Sequence, residues 1–166
     1  MIKERNVLVE AALGALAGAA AAWVMGKVTS YLYEHEDQQA REREDAARDG
    51  KMAYGVAAEK VAELTGRELD EDQRQQYGSA IHWALSLGAG AAYGVMRDAV
   101  PLAGWSKGLL FGAVFWLSVD EVGSAALGLT KPPQAFPWQA HARGLAGHLV
   151  FGIATEACFQ LFDAHE

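Results

Sequence analysis

The stretch Ala140–Phe162, AHARGLAGHLVFGIATEACFQLF, decides how this chain is read. It holds 23 residues without a proline and with few ionisable groups, and its small residues recur every fourth position. Ala140, Gly144, His148, Gly152, Glu156 and Gln160 fall on nearly one face of a helix. About 20 apolar residues span the ~30 Å of a bilayer core, where only a helix satisfies its own backbone. A soluble helix would avoid glycine, which costs about 1 kcal/mol against alanine. A membrane helix uses it for close backbone approach.

Three more segments share this character. They are about 7–28, 77–96 and 107–127. Their fourth-residue stripes run Gly14, Gly18, Ala22, Gly26; then Gly78, His82, Ser86, Gly90, Gly94; then Gly104, Gly108, Gly112, Trp116, Asp120, Ser124, Gly128. The expected fold is all-α: an integral membrane bundle of four transmembrane helices in one domain. Gly14, Gly18, Gly90, Gly94, Gly108, Gly112, Gly144 and Gly152 are its expected packing positions.

Charge is segregated. Thirteen of the 21 acidic and eight of the 14 basic residues lie between Lys27 and Arg74. That polar region, about 29–76, is expected to be a charged helical loop between the first two membrane helices. Glu34–Arg48, with Arg41/Asp45 and Glu44/Arg48 at i,i+4 spacing, reads as a solvated extension of the first helix. Met52–Thr65 reads as an amphipathic piece with Ala57, Val61 and Leu64 on its apolar face, ended by Gly66. Asp70 with Gln73 is a capping box for the second membrane helix. Pro101 and Pro132, Pro133 and Pro137 mark the short links, and Trp83, Trp105 and Trp138 suit an interfacial belt.

A net charge of -7 with no basic stripe excludes nucleic acid as a partner. The bilayer is the expected partner, with a homodimer or a protein bound through the 34–74 loop as further possibilities. Lys3 and Arg5 before an apolar run mimic a signal peptide, but the run continues into helix without a turn, so an uncleaved helix is expected. Counting basic residues places the loop in the cytoplasm. Cys158 is the single cysteine, which excludes an internal disulfide. No hydrolase, phosphate-loop or dinucleotide motif is present, so no enzyme activity and no cofactor are expected.

The ionisable residues ride on the stripes. At 1.5 Å per residue, His82 lies about 8 Å from the loop face, and Asp120 and His148 about 12 Å. Three helices thus place His82, Asp120 and His148 in one layer. Glu121 shares the layer but points about 100° away on an α-helix. Glu156 lies far deeper, as a second station, and Glu10 is expected at a membrane end. Charged groups at mid-bilayer cost at least ~2.5–3.5 kcal/mol each, more than helix gluing requires. A His beside a carboxylate in low dielectric holds or relays protons. The same layer offers two imidazoles and a carboxylate to a divalent metal, although no HxxxH or ExxH pair places two ligands one turn apart. A hydrogen-bonded cluster fixing helix register is the third reading. Arg143 reads as a surface residue with Glu121 or a headgroup as partner, and His35 and His165 as solvated.

The run His82-Trp83 through Tyr93-Gly94, Trp116 with Asp120-Glu121, Gly128-Leu129-Thr130-Lys131-Pro132-Pro133, and Gly147-His148-Leu149-Val150-Phe151-Gly152 resembles the YagU-like family of small bacterial membrane proteins. The resemblance spans roughly residues 77–160. It implies a multi-pass protein of the bacterial inner membrane with a role in acid stress.

Overall fold

The structure is a computed structural model that describes residues 6–163; Lys3, Arg5 and His165 lie outside them. Among the described residues the chain is helical, without strands. Helix α1 spans Val7–Glu34, its first turn capped by the Asn6 side chain, which accepts from the Leu8 N–H at 2.9 Å. It runs six residues past the expected end and then stops. The Asp37 carboxylate accepts from the amides of Gln39 and Ala40 and starts a separate helix, α2, Gln38–Arg48. The charged segment is therefore no extension of α1. A side-chain cap competes with helix continuation, and at Asp37 it wins.

Helix α3 spans Ala53–Glu63. Its buried face is Gly55, Ala58 and Ala62, while Val61 and Leu64 are exposed, which corrects the face expected from its large apolar residues. Close approach selects small residues: a Cβ on Gly78 of the next helix would sit 3.0 Å from the Gly55 nitrogen. Gly66, at φ +68, ends the segment. Asp70 and Gln73 then form the capping box of α4, Glu71–Met96.

Helix α5 spans Trp105–Ala126, and its Leu117–Gly123 portion is a π-helix. Helix α6 spans Trp138–Asp163. The helices α1, α5 and α6 are long and apolar enough to cross a membrane, which marks a membrane protein. Helix α4 is long enough but too polar to qualify, because its first turns are Glu71–Gln76 and Ser79, His82 and Ser86 follow.

Glycines set the crossings. Gly14 and Gly18 of α1 meet the backbone at Gly90 of α4, and Gly94 meets the backbone of Glu10. Gly108 and Gly112 of α5 meet the backbone at Gly152 and His148 of α6. Gly144 differs: it faces the Trp116 and Asp120 side chains. Glu10 lies in the first turn of α1, as expected of a residue near a helix end, and is buried where α1 crosses α4. Between α4, α5 and α6 an aromatic core forms from Tyr93, Phe111, Phe115, Phe151 and Phe159. The outer face of α5, with Leu109, Leu110, Val114, Leu117 and Val122, is exposed, as a lipid-facing helix requires.

Candidate functional site

His82, Asp120, Glu121 and His148 all line one cavity of about 250 Å³. Four elements build it: α3 contributes Tyr54, α4 His82, the π segment of α5 Asp120 and Glu121, and the start of α6 His141 and His148. The π segment is what brings both carboxylates to the same cavity. An α-helix turns 100° per residue, but the wider π turn rotates less, so neighbours stay closer to one face. The expectation that Glu121 points away from the layer is corrected on this ground. Such π-bulges concentrate at functional sites.

The hydrogen bonds assign protons. His148 Nδ1 lies 2.9 Å from the Gly144 carbonyl oxygen, which can only accept, so Nδ1 carries hydrogen and donates. Asp120 Oδ2 stands 3.6 Å from the same nitrogen, too far for a hydrogen bond. His148 is 3% exposed and its ring meets Phe115 edge-on. His82 packs edge-on against Tyr54, with ring centroids 5.1 Å apart. The layer thus converges on a cavity without its members bonding directly to one another. Among the described residues, no three His, Cys, Asp or Glu side chains are placed to hold a metal ion.

His141, near the start of α6, joins the cavity as well. Its Nε2 donates to the Pro133 carbonyl at 3.0 Å, and its Nδ1 lies 2.6 Å from Glu121 Oε1. One proton must sit between Nδ1 and Oε1. The pair is then either imidazolium with carboxylate or imidazole with carboxylic acid, and it is neutral in both forms. The signal was available: a short proline-rich turn joins the ends of two adjacent helices, so a His just past it can face a Glu just before it. Tyr54 was also missed. Burial, and secondarily the Asp120 charge, push its phenol up to about 12.

Glu156 lies outside this cavity. It is 2% exposed and accepts from the Tyr93 hydroxyl at 2.6 Å and from Gln160 Nε2 at 3.2 Å. Arg97 Nη2 stands 3.4 Å from Glu156 Oε1, the oxygen that also accepts from Gln160, while Arg97 Nη1 reaches Asp163 at 3.0 Å. Arg97 also covers the Phe159 ring, 4.7 Å from its centroid. This is a second ion-pair cluster, at the far end of α6.

The charged loop closes over the cavity. Arg143, expected at the surface, has a 10% exposed side chain and forms ion pairs with Glu36 and Glu44. Glu44 also pairs with Arg48 of its own helix, and Arg143 lies over the Tyr33 ring. Burial raises the Glu44 pKa, but the hydrogen bonds from Arg143 and Arg48 outweigh it and hold the carboxyl below its ordinary value. Lys60 Nζ donates to the Leu127 carbonyl at 2.8 Å, and Lys131 Nζ reaches the Ala46 carbonyl at 3.4 Å. These ties place Arg48, Met52 and Tyr54 on the cavity wall.

A family model described as a protein of unknown function (DUF1440) matches residues 52–157. The chain belongs to this family. The matched stretch runs from α3 into α6 and contains His82, Asp120, Glu121, His141 and His148. It leaves out α1 and α2, and with them Glu36, Glu44 and Arg48. No curated protein and no solved structure matches the chain.

Proposed function

We propose that this is a multi-pass protein of the bacterial inner membrane that takes up and releases protons at the loop-side cavity and thereby responds to acid. One observation carries the reading: three histidines and two carboxylates, from α4, α5 and α6, line a single cavity. Such groups in low dielectric change charge near physiological pH, and intramembrane ionisable residues mark proton or ligand sites. In this reading α4 is the fourth span, over about 77–96, and the loop faces the cytoplasm. The resemblance to the YagU-like family, with its link to acid resistance, agrees with it. No catalytic step is assigned.

The loop enters as the readout. It is docked on the cavity through Tyr54 and Arg48, so a change of charge below acts directly on its seat. A partner bound through residues 34–74 is the second reading, favoured by the outer face of α2, where Glu42 and Arg43 are exposed.

The test is a double variant, Asp120→Asn with His148→Gln. It is expected to insert normally, to take up fewer protons than the parent between pH 7 and 5, and to lose acid survival in a strain carrying it as its sole copy. Unchanged proton uptake together with unchanged survival would sink the reading.

A further inference from the structure

The cavity walls carry an imbalance of partners. Among the charged groups that face it, Arg48 is neutralised by Glu44. Glu121 and His141 form a neutral pair sharing one proton. Lys131 sits exposed at the rim with its ammonium directed to the Ala46 carbonyl. The His148 Nδ1 hydrogen is committed to Gly144. His82 faces Tyr54 across the opening from α4 and α3. That leaves Asp120, whose side chain is 37% exposed and whose ion-pair contact among the described residues is His148 Nδ1 at 3.6 Å. A carboxylate in such surroundings needs a donor or a counter-cation.

We propose that this cavity binds a small organic cation, a protonated amine, with the Asp120 carboxylate as its counter-ion. The proposal rests on the reading of this cavity as the working site and adds its ligand class. Size permits it: 250 Å³ is room for on the order of eight waters at ~30 Å³ each, or for one small amine. The lining decides against a bare metal cation. Hard cations take about six to eight oxygen ligands, and among the described residues no three His, Cys, Asp or Glu side chains are placed to hold one, whereas the cavity wall also carries Tyr54, Trp116, Phe136, Met25 and Met52. Aromatic faces stabilise an ammonium head, and thioethers accommodate its carbon skeleton. An anion is disfavoured because it would share the cavity with the Asp120 carboxylate.

Amine and proton then compete for one carboxylate. Acid that protonates Asp120 removes the counter-ion, and the ammonium ion is released. Amine occupancy therefore falls as the compartment on the loop side acidifies.

Titration calorimetry on the full chain in lipid nanodiscs tests this, with phenethylammonium as probe and empty nanodiscs as the baseline. Phenylethyl alcohol and phenylacetate serve as the neutral and anionic counterparts. Support is saturable binding of the amine at pH 7.5 and at least tenfold weaker binding of the alcohol. No detectable binding of phenylacetate, and a tenfold or greater loss in Asp120→Asn, complete the expected pattern. Equal affinity for amine and alcohol overturns the proposal, as does unchanged amine binding in Asp120→Asn. The ligand comparison needs only the parent protein, so it decides the matter even if the variant fails to fold. Proton uptake by the ligand-free protein separates the two levels. Uptake that depends on Asp120 and His148 without amine binding removes the ligand class alone. Amine binding without such uptake removes the proton reading and leaves the cation site standing.

Discussion

Replacing Arg143 with methionine removes the cation that seats the charged loop. Arg143→Met keeps the side-chain stem over the Tyr33 ring but deletes both ion pairs. Glu44 has a 1% exposed side chain and Glu36 a 10% exposed one, so neither carboxylate gains water in the docked state. Losing one partner of a buried pair costs about 3–5 kcal/mol. The lower end applies because Arg48 still neutralises Glu44 and its half-exposed guanidinium can follow. About 3 kcal/mol is on the order of a hundredfold in the docking equilibrium. Hydrogen exchange across residues 36–49, read by mass spectrometry in nanodiscs, should therefore accelerate on the order of a hundredfold, while peptides around Gly90 keep their protection. Adding Glu36→Gln and Glu44→Gln to Arg143→Met removes the stranded charges and should recover most of the protection. Exchange within threefold of the parent in Arg143→Met would refute the claim that this ion-pair cluster seats α2.

Two further outcomes follow from the crossings and the loop charges. In Gly108→Ala the new Cβ falls 2.5 Å from the Gly152 carbonyl oxygen and 2.9 Å from its carbon, backbone atoms that cannot rotate away. Overpacking of about 2–3 kcal/mol exceeds the ~1 kcal/mol gained in helix propensity, so the variant should unfold more readily by about 1–2 kcal/mol in a denaturant series. Gly88→Ala, with nothing within 4 Å of its Cβ, should be neutral or stabilised in the same series. Acid should release the loop. The folded Glu44 carboxyl titrates below its ordinary value of 4.5, so its contribution is complete above that pH and is lost as pH falls through the depressed value. Proteolysis of residues 36–49 should be slow at pH 6 and fast below pH 4, and Glu44→Gln should flatten this dependence.

Small-residue stripes were the most legible feature of the chain, because in a bilayer the close approach of backbones is itself the packing signal. Depth counted along those stripes brought His82, Asp120 and His148 to one level, and the same three line one cavity. The same principle was missed in α3, where large apolar residues were taken as the inner face and Gly55, Ala58 and Ala62 occupy it. The π segment was illegible because hydrogen-bond register is set by packing: Gly123 lies against the Ser118 carbonyl, five residues back, and no local residue type demands that. Arg143 was misplaced for another reason. Its partners lie 99 and 107 residues away, and a single chain cannot say which of many acids folds back onto it. The surplus of acids in the loop was the only hint that some would need a cation from elsewhere.

The position of Glu156 sharpens what the cavity can do. His148 and Glu156 share a stripe, eight residues and so about 12 Å apart along α6. Phe111, Phe115 and Phe151 fill the space between the two levels, with ring centroids 5.4–6.0 Å apart. These rings carry no hydrogen-bonding atom, and the one nearby hydroxyl, on Thr155, is spent on the Phe151 carbonyl at 2.8 Å. Among the described residues, the side chains between the cavity and Glu156 are these aromatic rings. Opening a path between the two levels would require α5 and α6 to part, yet Gly108 and Gly112 hold them backbone against backbone at this depth. The cavity lies under the docked loop at one end of α6, and the Arg97–Glu156 ion pair, which Asp163 joins, ties α6 to the end of α4 at the other.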